Sequence, residues 1–229
     1  MSELKLAQYP EVAELLSVLE QSGLHKEQDE VKSLVSYIDE MGTRLSAMNE
    51  ELTQMHREIS TIRDSTLKAR CEKLISGAEK HLQQMKTTVT TVKDNFVRAA
   101  TNAVSTFKDK GKEALRRALT AMRIPAVLET LKGGFDRSAE NARKSAERLD
   151  EIGVELHEAG THIRGAGRAM LGKPAKEAAE LEHSKGVLAR ARSAMLRISS
   201  GLSALAEKTE RLAEKLTPDR GASETRSSV

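Results

Sequence analysis

Several residue types are scarce in this chain of 229 residues, which has one cysteine, four prolines, no tryptophan and only 2% aromatic residues. The single cysteine, Cys71, excludes an internal disulfide framework and a multi-cysteine metal site, and it is compatible with a reducing compartment. No apolar run reaches the about 18 residues that indicate a transmembrane helix, so none is expected. The first residues lack the basic and apolar regions of a secretory signal, so none is predicted either.

The residues that are abundant favour helices. Charged residues make up 31% of the chain, and the apolar residues are mostly Leu, Ala, Val, Ile and Met. This mixture is typical of long helices and coiled coils. The sequence therefore predicts an all-α fold, with long helices in antiparallel hairpins or a coiled-coil bundle and a disordered C-terminal tail.

A heptad repeat is the clearest periodic signal in the sequence. Two apolar series, each with a spacing of seven and offset by three from the other, run through its first third. Such spacing is typical of a coiled-coil seam. Methionine recurs in one series, which favours an adaptable seam over a groove for a partner. The predicted seam consists of Val31, Leu34, Ile38, Met41, Leu45, Met48, Leu52, Met55, Ile59 and Ile62.

The chain divides into four parts at its prolines, its glycines and the breaks in the apolar register. A short N-terminal helix is predicted for residues 1–25. A long heptad-patterned helical region is predicted for residues 26–124, with breaks near 63–66 and 110–112. Residues 125–216 predict a helical hairpin, in which Gly133–Gly134 ends a short helix before a helix over 136–171 with an apolar face along its length. A last helix is predicted over 175–216, and residues 217–229 form the predicted tail.

Two motifs with a superficial likeness to enzyme sites fail on their details. Residues 167–173 spell G-x-x-x-x-G-K, but Pro174 stands where a P-loop needs Ser or Thr for magnesium. His157 and His162 are five residues apart, whereas the paired histidines of a zincin helix are four apart. We therefore expect no catalytic residues, no metal site and no cofactor.

Charge is unevenly distributed, because acidic residues predominate in residues 1–64 and basic residues in residues 65–137. The densest basic cluster could dock on the acidic first third of the chain, or it could bind nucleic-acid phosphates. A peripheral membrane contact is not expected from its apolar face. The cluster consists of Lys108, Lys110, Lys112, Arg116, Arg117 and Arg123.

Three stretches carry a family resemblance: EVAELLSVLEQSG (11–23), AVSTFKDKGKEAL (103–115) and ELHEAGTHIRGAGRAMLGKPAKEA (155–178). Together they resemble an uncharacterised family of helical proteins carried on conjugative and other mobile elements of Firmicutes, especially gut Clostridia. The resemblance implies an accessory protein of the bacterial cytoplasm and supplies no activity. Within the third stretch, His157, His162, Arg168 and Lys173 are a candidate interaction segment.

These features favour a non-enzymatic helical protein that binds a protein partner, as a scaffold or by occluding it. The alternative is a nucleic-acid-binding protein that uses the basic segment 108–123. A homodimer would satisfy the coiled-coil seams, and so would a chain that folds back on itself.

Overall fold

A computed structural model describes residues 5–122, 124–172 and 186–216. Within these ranges the chain forms a helical bundle without a strand, which confirms the predicted all-α fold. No helix in the described ranges is long and apolar enough to cross a membrane. After a short 3-10 helix (Leu6–Gln8), the α-helices are α1 (Pro10–Gln21), α2 (His25–Ser60), α3 (Ser65–Lys110), α4 (Lys112–Ala121), α5 (Ile124–Met170) and α6 (Val187–Leu216).

Four predicted features lie outside the described residues: Arg123, Lys173, the first part of the last predicted helix at 175–185, and the tail at 217–229. The described part of that last helix is α6.

The two breaks predicted in the long heptad region coincide with the ends of helices. Between α2 and α3, the Asp64 carboxylate accepts a hydrogen bond of 2.9 Å from the Leu67 backbone N–H, as an N-cap does. Between α3 and α4, Gly111 has φ +76°, a left-handed conformation that glycine adopts without a Cβ clash. Local backbone chemistry therefore sets both breaks.

The prediction that Gly133–Gly134 ends a helix is wrong, because α5 runs through both glycines without interruption. A Cβ built on Gly134 would lie 2.5 Å from Met85 Sδ and 2.9 Å from Met85 Cε on α3. Glycine thus serves at this position to let a side chain of α3 approach the helix backbone closely.

The described residues form two compact units, and each unit draws on separate stretches of the chain. The first comprises 1–46, 84–136 and 203–229, and the second comprises 47–83 and 137–202, in both cases as far as they are described. Nine of the ten predicted seam residues lie in α2 and are buried, whereas Ile62 lies after the end of α2 at Ser60 and is half-buried, so its predicted place in the helical seam is wrong. Val31 to Leu45 belong to the first unit and Met48 to Ile62 to the second.

In the first unit, a polar contact explains the one break in the apolar series of α6. Thr209 is fully buried, and its hydroxyl oxygen lies 2.7 Å from the Tyr37 hydroxyl of α2. Tyr37 also donates a hydrogen bond of 2.6 Å to the Leu205 carbonyl. Both hydroxyls are therefore satisfied inside the core, as buried polar groups require.

This contact predicts a stability change at alkaline pH. Burial raises the pKa of Tyr37 to about 12, so the unfolded chain loses this proton near the ordinary value of 10 while the folded chain keeps it. The stabilisation that comes from the protonated phenol is complete below pH 10, and it falls by up to about 1.4 kcal/mol per pH unit as the pH rises toward 12. We expect the stability difference between the wild type and Tyr37→Phe to shrink over this range in urea titrations. A difference that stays constant with pH would contradict the assignment.

In the second unit, four helical stretches pack antiparallel. Ion pairs join α2 to α6, with Glu58 to Arg190 at 2.7 Å and Glu51 to Arg197. The later residue of α2 is paired with the earlier residue of α6, so the two helices run antiparallel. Between α3 and α5, Arg70 binds Glu155 at 2.8 Å and His81 lies 3.1 Å from the Asn141 side-chain nitrogen, which gives the same antiparallel sense.

Candidate interaction surfaces

The basic segment of residues 108–123 is partly engaged with acidic residues of the first third of the chain. Lys108 Nζ lies 2.7 Å from Glu14 Oε1 of α1, and Arg116 Nε lies 3.3 Å from Glu27 Oε1 of α2. The first pair is exposed and the second is partly exposed, and such surface pairs are worth about 0–1 kcal/mol each. Both are contacts of the kind expected if the basic cluster docks on the acidic first third of the same chain.

The other described members of this segment, Lys110, Lys112 and Arg117, are exposed and form no ion pair with the described residues. They leave some positive charge available at this end of α3 and along α4. Lys112 Nζ also lies 4.0 Å from where a Cβ on Gly23 would be, next to the turn between α1 and α2.

A second basic surface, which the sequence analysis missed, lies in the second unit. A groove of about 450 Å³ between α3 and α5 has Arg70, Lys73, Lys144 and Arg148 in its walls. Arg70 is bound to Glu155, and that hydrogen bond holds the pKa of the Glu155 carboxyl below its usual value. Lys144 Nζ lies 3.4 Å from Glu140 Oε1, within the same helix.

Two cations of this groove, Lys73 and Arg148, form no ion pair with the described residues. The groove is therefore a second place where an anionic group could bind. The spacing of three or four residues within each helix could have indicated one basic face per helix. It could not have indicated that these faces line the same groove, because the pairing of the helices is a tertiary property.

Among the described residues, the side chains with catalytic potential are not brought together. Cys71 is fully buried, and burial raises the pKa of its thiol, which disfavours the reactive thiolate. His157 is half-buried and His162 is exposed, and five residues on a helix place them about 140° apart. No group of three or more His, Cys, Asp or Glu that could hold a metal ion occurs in the described ranges.

The most distinctive surface is the last part of α5. The apolar series of α5 keeps the alternating spacing of three and four residues after Leu149 and Ile152, which are both buried. From residue 153 to residue 170, however, no position is buried. We call the apolar residues of this part the distal α5 stripe; they are Leu156, Ala159, Ile163, Ala166 and Met170.

The large side chains of the stripe are open to solvent, with Leu156 42%, Ile163 72% and Met170 88% exposed. The sequence had predicted one apolar face along 136–171, and the structure buries only the part up to Ile152. The described residues of the candidate segment lie on α5 outside the stripe: His157 and Arg168 are half-buried, and His162 is exposed. Periodicity could locate the stripe but not its exposure, because exposure is a tertiary property.

The fold and these surfaces define a class: an all-α protein with long antiparallel helices and an exposed apolar extension of one of them. The chain belongs to the family of unknown function DUF6674, whose sequence model matches residues 8–229. No curated protein and no solved structure matches the chain.

Proposed function

We propose that this protein is a non-enzymatic helical binding protein that engages a protein partner through the distal α5 stripe, as a scaffold or by occluding that partner. The observation that carries the proposal is the exposure of Leu156, Ile163 and Met170 in continuation of a buried seam. Contiguous apolar side chains exposed on a soluble surface commonly mark an interaction site. An apolar helix face is also a standard recognition element between helical proteins.

The proposal of a binding protein rather than an enzyme rests on the state of the reactive groups. The one cysteine is buried and held as a thiol, and His157 and His162 lie on different faces of α5. The family resemblance adds a biological context, that of a cytoplasmic accessory protein of a bacterial mobile element. In such a setting the partner would be a protein of the host or of the element.

Nucleic-acid binding is the second candidate. It is supported by Lys110, Lys112 and Arg117, which form no ion pair with any described residue, and by Lys73 and Arg148 in the groove of the second unit. Phosphates bound at these positions would release counterions, so binding would weaken steeply with salt. The pairing of Lys108 and Arg116 with acidic residues argues against use of the whole segment 108–123.

A capture experiment with matched variants tests the first proposal. Ile163→Arg places a charge in the middle of the stripe, whereas Thr161→Arg places the same charge about 200° around the same helix. Tagged full-length wild type and both variants would be incubated with host lysate, with and without nuclease, and the eluates analysed for protein and nucleic acid.

We expect the wild type and Thr161→Arg to retain the same protein partner after nuclease treatment. Ile163→Arg should retain at least about tenfold less, because a desolvated unpaired charge in an apolar contact is strongly unfavourable. Equal capture by all three chains would contradict the assignment of the stripe. Capture that disappears with nuclease and with added salt would instead favour the nucleic-acid proposal.

A further inference from the structure

The groove between α3 and α5 of the second unit (the α3–α5 groove) has a contact between its two walls at each end. Arg70 binds Glu155 at one end, and His81 lies 3.1 Å from the Asn141 side-chain nitrogen at the other. The two α3 residues are about eleven positions apart, so the groove is about 16 Å long. Its volume of about 450 Å³ falls within the about 300–1,000 Å³ that is usual for small-molecule sites. The groove therefore has the size of a site for a small molecule.

Two cations lie on opposite walls in the middle of this groove. Arg148 is midway between Asn141 and Glu155 on α5, so it lies level with the middle of the α3 wall, at residues 75–76. Lys73 is two or three residues from that level, which is about 3–5 Å along the axis. Neither cation forms an ion pair with a described residue. An anion in the middle of the groove would thus be within reach of one cation from each wall.

Small residues open the groove at the same level. Gly77 lies within α3 without a positive φ, and a Cβ built on it would meet nothing within 4 Å. Ala78 and Ser145, which also line the groove, have small side chains. Glycine destabilises a helix interior relative to alanine, and neither the backbone conformation nor a close contact requires glycine at residue 77. Its effect in the fold is to leave space next to Lys73 and Arg148.

The groove keeps positive charge after its internal pairs are counted. Arg70 and Lys144 are each paired with a carboxylate of α5, and the exposed Glu151 is the one carboxylate among the described lining residues. Lys73 and Arg148 together carry two positive charges against the single negative charge of Glu151. A cleft with an excess of one sign of charge attracts ligands of the other sign. The groove therefore favours an anionic ligand.

We propose that the α3–α5 groove binds a small phosphomonoester, with the phosphate between Lys73 and Arg148 and the organic part against Leu74 and Ile152. Hydrogen-bond donors reach the middle of the groove from both walls, and Ser145 can supply another. A tetrahedral phosphate accepts from several directions, whereas a carboxylate accepts in one plane. A phosphomonoester also carries about −1.5 to −2 charge at pH 7, enough to engage both cations. This surface is separate from the distal α5 stripe, and the inference does not rest on the stripe.

The ends and the lining of the groove favour a compact ligand over a nucleic-acid strand. A chain of phosphates that left the groove at the Arg70 end would pass the carboxylates of Glu151 and Glu155, which repel it. The apolar side chains of Leu74 and Ile152 in the lining match an organic group and offer nothing to a phosphate. A single phosphate with an organic group attached fits both features.

Calorimetric titration of the full-length protein in a phosphate-free buffer tests the ligand class. The probes are adenosine monophosphate, glucose 6-phosphate, inorganic phosphate, and the unphosphorylated adenosine and glucose. We expect at least one of the two esters to bind with a dissociation constant below about 1 mM, and inorganic phosphate to bind at least about tenfold more weakly than that ester. The ester that binds more tightly identifies the class of the organic group. The two unphosphorylated compounds should not bind.

Matched variants test the place of binding. Arg148→Gln should weaken the binding of the ester at least about tenfold, because it removes a charged hydrogen-bond donor. Arg164→Gln makes the same change of charge about 24 Å along the same helix and should leave the affinity unchanged. Gly77→Leu fills the groove and should abolish binding, whereas Ser76→Leu, on the neighbouring exposed position, should not. Since a Cβ on Gly77 meets nothing, Gly77→Leu should keep the helical circular dichroism and the urea midpoint of the wild type.

Three results would overturn the proposal. The first is the absence of saturable binding of both esters to the wild type. The second is an ester affinity that Arg148→Gln and Gly77→Leu leave unchanged, or that inorganic phosphate equals. The third is a single-stranded oligonucleotide without a terminal phosphate that binds more tightly than either ester and loses its affinity in Arg148→Gln, because the groove would then be part of a nucleic-acid surface.

Discussion

Asp39→Ala is expected to lower the free energy of unfolding by about 3–5 kcal/mol, because it leaves a charge buried without its partner. Asp39 lies on α2 in the first unit, where its side chain is 11% exposed, and Lys93 of α3 is 9% exposed. Lys93 Nζ lies 3.3 Å from Asp39 Oδ1. The alanine variant would remove the carboxylate and leave the ammonium group in the core.

The same carboxylate also holds the N-terminal segment. Asp39 Oδ1 accepts a hydrogen bond of 2.7 Å from the Leu6 backbone N–H, and Oδ2 accepts one of 3.2 Å from the Ala7 N–H. These bonds satisfy two N–H groups of the 3-10 helix and position Leu6, which is fully buried. The loss of stability in Asp39→Ala therefore has two causes: the unpaired charge of Lys93 and the loss of two hydrogen bonds to the backbone.

A double-mutant cycle in urea measures the ion-pair part of this loss. Lys93→Met removes the charge and keeps an unbranched apolar side chain, so it should cost less than Asp39→Ala. Adding Lys93→Met to Asp39→Ala should recover part of the stability, because no unpaired ammonium group then remains buried. A loss below about 1 kcal/mol in Asp39→Ala, typical of exposed pairs, would contradict this account of the site.

Leu149→Ala and Ile163→Ala are expected to differ sharply in their effect on stability, although the two residues occupy equivalent heptad positions of α5. Leu149 is 1% exposed, so its truncation should cost about 2–5 kcal/mol through lost burial and a cavity. Ile163 is 72% exposed, and its truncation should change the free energy of unfolding by no more than about 0.5 kcal/mol.

Urea unfolding of both variants measures this contrast. The two residues lie in the same unit and on the same helix, so each serves as the other's control. Comparable losses in the two variants would mean that the stripe is covered within the folded monomer. That result would remove the structural basis of the proposed interaction surface.

Local sequence signals predicted the helices well, because these signals act over a few residues. The heptads of α2, the turn after Ser60 and the break at Gly111 each follow from side-chain spacing or from the backbone preference of one residue. The helix end predicted at Gly133–Gly134 failed because the close approach of Met85 is a tertiary contact. Thr209 likewise interrupted the apolar series of α6 for a reason found only in Tyr37, on another helix.

The candidate surfaces were less predictable than the helices. The sequence identified the basic segment 108–123 and the apolar spacing of the distal α5 stripe. It could not identify which cations meet acidic partners, as Lys108 and Arg116 do, because that depends on how the helices pack. The groove with Arg70 and Arg148 was missed for the same reason. The exposure of Ile163 is likewise a tertiary property.

The central claim is that the distal α5 stripe is a protein-binding surface. The most direct measurement is the amount of nuclease-resistant partner retained by Ile163→Arg relative to Thr161→Arg, with both variants folded and present at equal concentration. The account predicts a ratio of about one tenth or less, with Thr161→Arg equal to the wild type. A ratio near one would contradict it, because a charge in the middle of the stripe would then leave binding unchanged.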